Sequence, residues 1–154
     1  MTKPAKLKFT IYQGATSIEK WQRLLCDYEV ELRNGRLANK LTGAAVPDAD
    51  LIPEDYTGCT ARMQARSEVG SPYVLFELTT ENGGIALAAD GWVQIDPNVV
   101  DAARMKYGND AKNGFWETAI GHIEVTRPDG RVDRQYEITF TLDPEVTLDH
   151  EVTP

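Results

Sequence analysis

Regular alternation of apolar and polar side chains is the feature that most limits what this chain can fold into. Between Cys59 and Arg66 every second side chain is apolar, so the four apolar residues share one side of an extended backbone. The segment from Val132 to Leu142 alternates over a longer stretch. Because a helix with one buried face needs a period near 3.6 residues, both segments predict strands with one buried and one exposed face.

The stretch from Tyr56 to Ile95 predicts a meander of four strands. The strand at 59–66 is followed by a second strand that contains Val74, Phe76 and Leu78, and the two form an antiparallel hairpin. The other two predicted strands lie at 85–87 and around Val93 and Ile95, and the turns between strands lie at 70–72, 82–84 and 90–91.

The first third of the chain is less regular. An opening strand runs from Leu7 to Tyr12. The segment from Ser17 to Leu32 fits both helical spacing and two extended pieces, so periodicity alone leaves it open. Asn34-Gly35 is a hairpin turn sequence. Residues 39–53 show neither period and are rich in Ala, Asp, Pro and Thr, which predicts an exposed loop.

The last third contains one predicted helix and a long hairpin. Asp96, as N-cap, and Pro97, at the first helical position, predict a short helix that reaches Lys106 and crosses between the sheets. A long strand follows from Phe115 to Thr126, with a β-bulge near Gly121 where its inward phase changes. A turn at 127–130, Arg-Pro-Asp-Gly, joins it to the alternating strand at 132–142. The acidic residues 143–154 predict an extended tail.

These elements predict an all-β fold. Seven to nine short strands with one short helix favour an antiparallel β-sandwich, and the length favours a single domain over 1–154. Helical bundles and Rossmann-type folds are excluded, because the pattern lacks long helical periods and strand–helix alternation.

Composition and charge argue against nucleic acid and membranes as partners. The formal charge of −8 argues against nucleic acid, because lysine and arginine make the phosphate contacts. No apolar run approaches the ~18 residues that cross a bilayer, and the first residues lack a signal-peptide core, which predicts a soluble protein made in the cytoplasm. The two cysteines, Cys26 and Cys59, are too few for a disulfide scaffold and predict buried free thiols.

The sequence contains few residues in patterns typical of catalytic sites. The chain has only two histidines, His122 and His150, and no serine or cysteine lies in a nucleophile-elbow context. His122 lies in a predicted strand, where a hydrogen-bonded sheet histidine is the better interpretation. We therefore predict no catalytic residues, no cofactor and no enzymatic activity.

Five residues are candidates for binding a partner. Trp92 has the opposite parity to its inward neighbours and should be more exposed than a core tryptophan, and tryptophan is common at interface hot spots. The acidic residues Asp48, Asp50, Glu54 and Asp55 cluster in and after the predicted loop. Carboxylates of this kind can bind Ca²⁺, but their spacing fits no EF-hand loop, so a solvated loop without metal is favoured.

Several motifs resemble a group of small tailed-bacteriophage proteins encoded among tail and baseplate structural genes. These motifs are DYTGCTARMQAR at 55–66, LTTENGGIAL at 78–87, DGWVQI at 90–95 and PEVT at 144–147. The chain departs from the family pattern at Tyr56 and Cys59, where the family has Leu and Tyr, and in a longer connection at 101–114.

The resemblance implies an immunoglobulin-like sandwich in a virion structural protein, and it favours strands between Ser17 and Leu32. It implies a non-enzymatic tail or baseplate adaptor or decoration protein, present as an oligomer beside other virion proteins, with contacts through sheet edges, the loop at 39–53 and both termini. The alternative is a carbohydrate-binding sandwich that recognises a host-surface glycan through Trp92.

Overall fold

Strands dominate the computed structural model, which describes residues 3–145. Its regular structure consists of fourteen strands and four 3₁₀ turns, and no α-helix occurs in the described residues. The fold is all-β, as predicted. In chain order the strands are β1 (Ala5–Tyr12), β2 (Glu19–Gln22), β3 (Leu24–Leu25), β4 (Val30–Arg33), β5 (Arg36–Asn39), β6 (Ile52–Pro53), β7 (Thr60–Arg66), β8 (Phe76–Thr79), β9 (Ile85–Leu87), β10 (Trp92–Ile95), β11 (Lys106–Tyr107), β12 (Phe115–Trp116), β13 (Thr118–Thr126) and β14 (Val132–Asp143).

Two sheets contain eight of these strands. The larger sheet has the order β1-β14-β13-β7-β8, and the smaller sheet has the order β2-β10-β9. Within these sheets neighbours pair antiparallel, except that β1 runs parallel to β14, from Ala5 opposite Tyr136 to Tyr12 opposite Asp143. The expectation of a purely antiparallel arrangement is therefore wrong at this edge. The remaining strands form the pairs β3–β6, β4–β5 and β11–β12.

One hydrophobic core includes the inward side chains of both sheets. Phe140 is fully buried, and its ring meets those of Phe9 and Phe76 edge-on at centroid distances of 5.7 and 5.2 Å. Trp21 of the smaller sheet meets Tyr136 of the larger sheet at 5.1 Å, so an aromatic contact joins the two sheets. Other fully buried side chains of this core are Ile11, Met63, Leu78, Val93, Ile95, Ile123, Val125 and Ile138.

The alternating strands are confirmed, and the bulge predicted near Gly121 is displaced by two residues. Inward residues keep one phase from Ala119 to Val125, and the register between β13 and β14 shifts only between Ile123 and Glu124. The phase change lies earlier, at Glu117, which separates β12 from β13. Gly121 has a different role: a Cβ there would lie 2.7 Å from Sδ of Met63 on β7, so the packed core requires glycine.

The predicted helix at 96–106 is also wrong. Asp96 does cap a turn, accepting a hydrogen bond from the backbone N–H of Asn98 at 3.0 Å, and Pro97 occupies the first position. However, Asp101 has φ +58°, a left-handed conformation that stops helix propagation. Two 3₁₀ turns result, Pro97–Val100 and Ala102–Arg104, and the short strand β11 follows them.

The other predicted elements differ less from the structure. The segment from Ser17 to Leu32 forms strands, and Asn34 and Gly35 both have positive φ in the predicted hairpin turn. Residues 39–53 are mostly exposed, as predicted, but contain the turn Asp48–Asp50 and the strand β6. The tail predicted at 143–154 is wrong at its first residue, because Asp143 is the last residue of β14, and residues 146–154 of the predicted tail lie outside the described part of the chain.

We expect Gly121→Ala to lower the free energy of unfolding by about 2 kcal/mol, because the added methyl group overpacks the core against Met63. The matched test is the same substitution in a Met63→Ala background, where the methyl group has room. Urea unfolding should show a smaller cost for Gly121→Ala in that background. An equal cost in both backgrounds would contradict the proposed contact.

Candidate interaction surface

An insertion of about thirty residues interrupts the two-sheet body between β2 and β7. We call residues 24–53 the arm. Its base is closed by β3 and β6, where Leu24 lies opposite Pro53 and Leu25 opposite Ile52. Beyond the base, β4 and β5 form a hairpin, and within the described residues no strand of the arm joins either large sheet. The arm therefore begins and ends at one place on the body.

The hairpin of the arm exposes an apolar face. Leu32 and Leu37 are directly opposite each other, and Val30 shares their face. Leu32 is 73% exposed, and Val30 and Leu37 are each more than a third exposed. On the other face Ala38 is buried, because the chain returns beside it, with the backbone N–H of Val46 donating to the carbonyl of Leu37 at 3.1 Å. Exposed apolar faces of this kind mark protein contacts.

Charges around this apolar face balance one another. Lys40 lies 3.5 Å from the carboxylate of Glu29, and Arg33 contacts Glu31. The whole segment from residue 27 to 40 has three acidic and three basic side chains, namely Asp27, Glu29, Glu31, Arg33, Arg36 and Lys40. The hairpin is therefore neutral in a chain whose formal charge is −8.

The four acidic residues predicted to act together are separated by the structure. Asp48 and Asp50 lie in one 3₁₀ turn, where Asp50 accepts a hydrogen bond from the Tyr28 hydroxyl at 2.5 Å and thereby raises the pKa of Tyr28. Asp55 accepts hydrogen bonds from the backbone and hydroxyl of Thr57, which lower the pKa of Asp55. Within residues 3–145 no group of His, Cys, Asp and Glu side chains is arranged to hold a metal ion.

Glu54 is the clearest departure from the prediction, because it is buried rather than exposed. It is 6% exposed, and its carboxylate lies between two arginines. Oε1 accepts a hydrogen bond from Arg127 Nη1 at 2.5 Å, and Oε2 lies 3.6 Å from Nε of Arg23. This hydrogen bond raises the pKa of Arg127, which also donates to Asp133 at 2.9 Å. A carboxylate in this position connects the arm to the β13–β14 hairpin.

Backbone hydrogen bonds also fix the position of Glu54. Its N–H donates to the carbonyl of Arg23 at 2.9 Å, and the N–H of Arg23 donates to the carbonyl of Gly91 at 2.8 Å. A Cβ on Gly91 would lie 2.7 Å from the Arg23 oxygen, and Gly91 has φ +90°. Glycine is therefore required for both space and conformation where the base of the arm meets the start of β10.

Trp92 follows directly after this close approach. It is 37% exposed whereas Val93 and Ile95 are fully buried, so the predicted difference in exposure is confirmed. The ammonium group of Lys20 lies 5.2 Å from the centroid of its ring, a cation–π contact that occupies ring surface. Trp92 thus lies beside the base of the arm, and its role in binding a partner stays a prediction.

The other residues considered for chemistry are two histidines and two cysteines. His122 Nε2 lies 3.3 Å from Glu137 Oε1 across β13 and β14, which confirms the predicted hydrogen-bonded sheet histidine. His150 lies outside the described residues. Cys26 and Cys59 are free thiols as predicted, but both are half-buried rather than buried. Among the described residues no helix is long and apolar enough to span a membrane.

Glu54→Gln should lower the free energy of unfolding by about 3 kcal/mol, because it removes the carboxylate from two arginines that are less than one-fifth exposed. Glu29→Gln is the matched control: Glu29 also pairs with a basic side chain, but it is 80% exposed, so the cost should stay within about 0.5 kcal/mol. Chemical denaturation measures both, and equal costs would show that the Glu54 cluster is not structural.

The sequence was compared with protein-family models and with curated proteins. No family model and no curated protein matches the chain. The assignment of a function therefore depends on the residues described above.

Proposed function

We propose that the chain is a structural protein of a tailed-phage particle, an adaptor or decoration protein of the tail or baseplate that works by protein–protein assembly. The observation that carries the assembly role is the apolar hairpin face formed by Val30, Leu32 and Leu37. An isolated two-stranded hairpin is marginally stable in water, so an exposed apolar face on one is best explained by a partner that covers it. The phage setting is supported by the sequence resemblance described above.

The strand order supports an immunoglobulin-like sandwich as the detailed fold. An immunoglobulin-like sandwich has seven framework strands, counted here in chain order. The third, sixth and seventh of these strands share one sheet, and the second, fifth and fourth lie in the other. Here β14-β13-β7-β8 matches the first arrangement with one added strand, and β2-β10-β9 matches the second. Under this assignment the arm is the connection between the second and third framework strands.

This assignment also explains where contacts should lie. The connection between the second and third framework strands and the hairpin between the last two lie at the same end of an immunoglobulin-like sandwich, which in variable domains is the binding end. The Glu54 hydrogen bond to Arg127 joins those two connections. The arm and the turn at 127–131 thus form a single end through which the chain meets other virion proteins or further copies of itself.

The edges of the larger sheet and the chain termini are a second, weaker set of candidate contact sites. β1 and β8 are the outer strands of the larger sheet and can accept an added strand through main-chain hydrogen bonds. Near the N-terminus, Ala5 and Lys6 already pair with β14, so they are not free to add a strand to a neighbouring protein.

The carbohydrate-binding alternative rests on Trp92. A sugar platform needs an open ring face, and Lys20 lies over the Trp92 ring. This contact makes the alternative the weaker of the two. Calorimetry with host polysaccharide distinguishes the two hypotheses, because only a carbohydrate-binding protein would show saturable binding that Trp92→Ala abolishes.

The direct test is mass spectrometry of purified particles of the phage that encodes the chain. The proposal expects the protein in a fixed ratio to known tail proteins after density-gradient purification. Its presence in the infected-cell lysate together with its absence from purified particles would contradict the proposal.

Leu32→Lys should reduce incorporation into particles at least about tenfold, because a charge at a buried contact is costly to desolvate. The matched control is Val69→Lys, since Val69 is 74% exposed against 73% for Leu32 but lies outside the arm. Thermal melting should be unchanged for both variants. Complementation of a phage that lacks the gene, followed by particle purification, measures the effect, and equal incorporation of the two variants would exclude the hairpin face.

A further inference from the structure

A groove of about 350 Å³ lies between the base of the arm and the beginning of β14. Its polar lining includes three arginines, Arg23, Arg127 and Arg134, and the amide of Gln135. Its apolar lining is provided by Leu25 and Val132, which are 40% and 56% exposed. The groove therefore combines a basic floor with an open apolar rim.

Positive charge is in excess in this groove. The three guanidinium groups are opposed by two carboxylates, Glu54 and Asp133, and both of these carboxylates contact Arg127. Within the described part of the chain, Arg134 makes no ion pair. A net positive groove in a chain of formal charge −8 is a local exception, and it favours an anionic group of a ligand.

Unused hydrogen-bond donors point to the same conclusion. Gln135 is 3% exposed, and its Oε1 accepts a hydrogen bond from the Tyr56 hydroxyl at 2.6 Å. Its Nε2 is buried and donates to no acceptor within residues 3–145, and the buried Nε of Arg23 faces the Glu54 carboxylate at 3.6 Å, beyond hydrogen-bond distance. An unpaired buried donor costs free energy, which a ligand that supplies acceptor oxygens would recover.

We infer that this groove binds the side-chain carboxylate of an acidic residue in an extended segment of a partner protein, with a neighbouring apolar residue of that segment placed between Leu25 and Val132. The planar guanidinium fork matches a carboxylate. A phosphate dianion fits less well, because Glu54 and Asp133 repel a second negative charge. This inference rests on the proposed assembly function and names the chemistry of one partner.

Two blocked dipeptides test the inference on the full-length protein. The probes are N-acetyl-leucyl-glutamate α-amide and its glutamine counterpart, which has the same shape without the charge. Titration followed by ¹H–¹⁵N NMR should show saturable shifts of the Gln135 side-chain amide with the glutamate probe, and binding at least about tenfold weaker with the glutamine probe. Equal binding of the two probes, no saturable shift with either, or stronger binding of inorganic phosphate would each overturn the inference.

Charge substitutions at the groove should move the affinity in opposite directions. Arg134→Gln removes an exposed cation and should weaken binding of the glutamate probe about fivefold, whereas Asp133→Asn removes a competing carboxylate and should strengthen binding by a similar factor. Arg131→Gln is the matched control, because Arg131 is an exposed arginine three residues away that pairs with Asp129 outside the groove. Equal effects of Arg134→Gln and Arg131→Gln would contradict the site. Failure here leaves particle incorporation intact, so the two proposals fail separately.

Discussion

The contacts of the Glu54 carboxylate are the interactions that hold the base of the arm against the rest of the molecule. This carboxylate bridges Arg127, in the turn after β13, and Arg23, at the base of the arm. Burying three charges is costly unless they satisfy one another, and here one carboxylate is shared by two guanidinium groups. Asp133 also pairs with Arg127, so two carboxylates balance Arg23 and Arg127, and the excess positive charge of the adjoining groove is that of Arg134. The arm, which carries the apolar hairpin face, and the groove thus meet at the Glu54 cluster.

Much of the fold can be predicted from the sequence, because its causes are local. Alternating side chains identify β7 and β14, and the Asn34-Gly35 and Arg127–Gly130 turns identify two hairpins. The errors occur where a tertiary contact or an unusual backbone angle decides the outcome. Met63, 58 residues before Gly121, makes that glycine necessary, and the left-handed Asp101 stops a helix that its capping residues do predict. The parallel pairing of β1 with β14 joins the two ends of the described chain and leaves no local signature.

The candidate site was less predictable. Four neighbouring acidic residues suggested one surface cluster, but the partner that buries Glu54 lies 73 residues away. The apolar hairpin face did have a signal, since Leu32 and Leu37 flank the Asn34-Gly35 turn symmetrically, although a four-residue strand is too short for periodicity to show which face is buried. In β14 the adjacent residues Gln135 and Tyr136 are both buried. This break in alternation lies where the register shifts, because Ile123 pairs with Tyr136 whereas Glu124 pairs with Arg134.

We propose that the chain meets its neighbours through the arm. Lysine cross-linking of intact purified particles, read by mass spectrometry, tests it most directly, because Lys40 lies just after the β4–β5 hairpin whereas Lys106 and Lys112 lie in and after β11. If the arm is the contact, intermolecular cross-links should join Lys40 to another virion chain or to a second copy. Intermolecular cross-links from Lys106 and Lys112 alone, with Lys40 reacting only within its own chain, would contradict it.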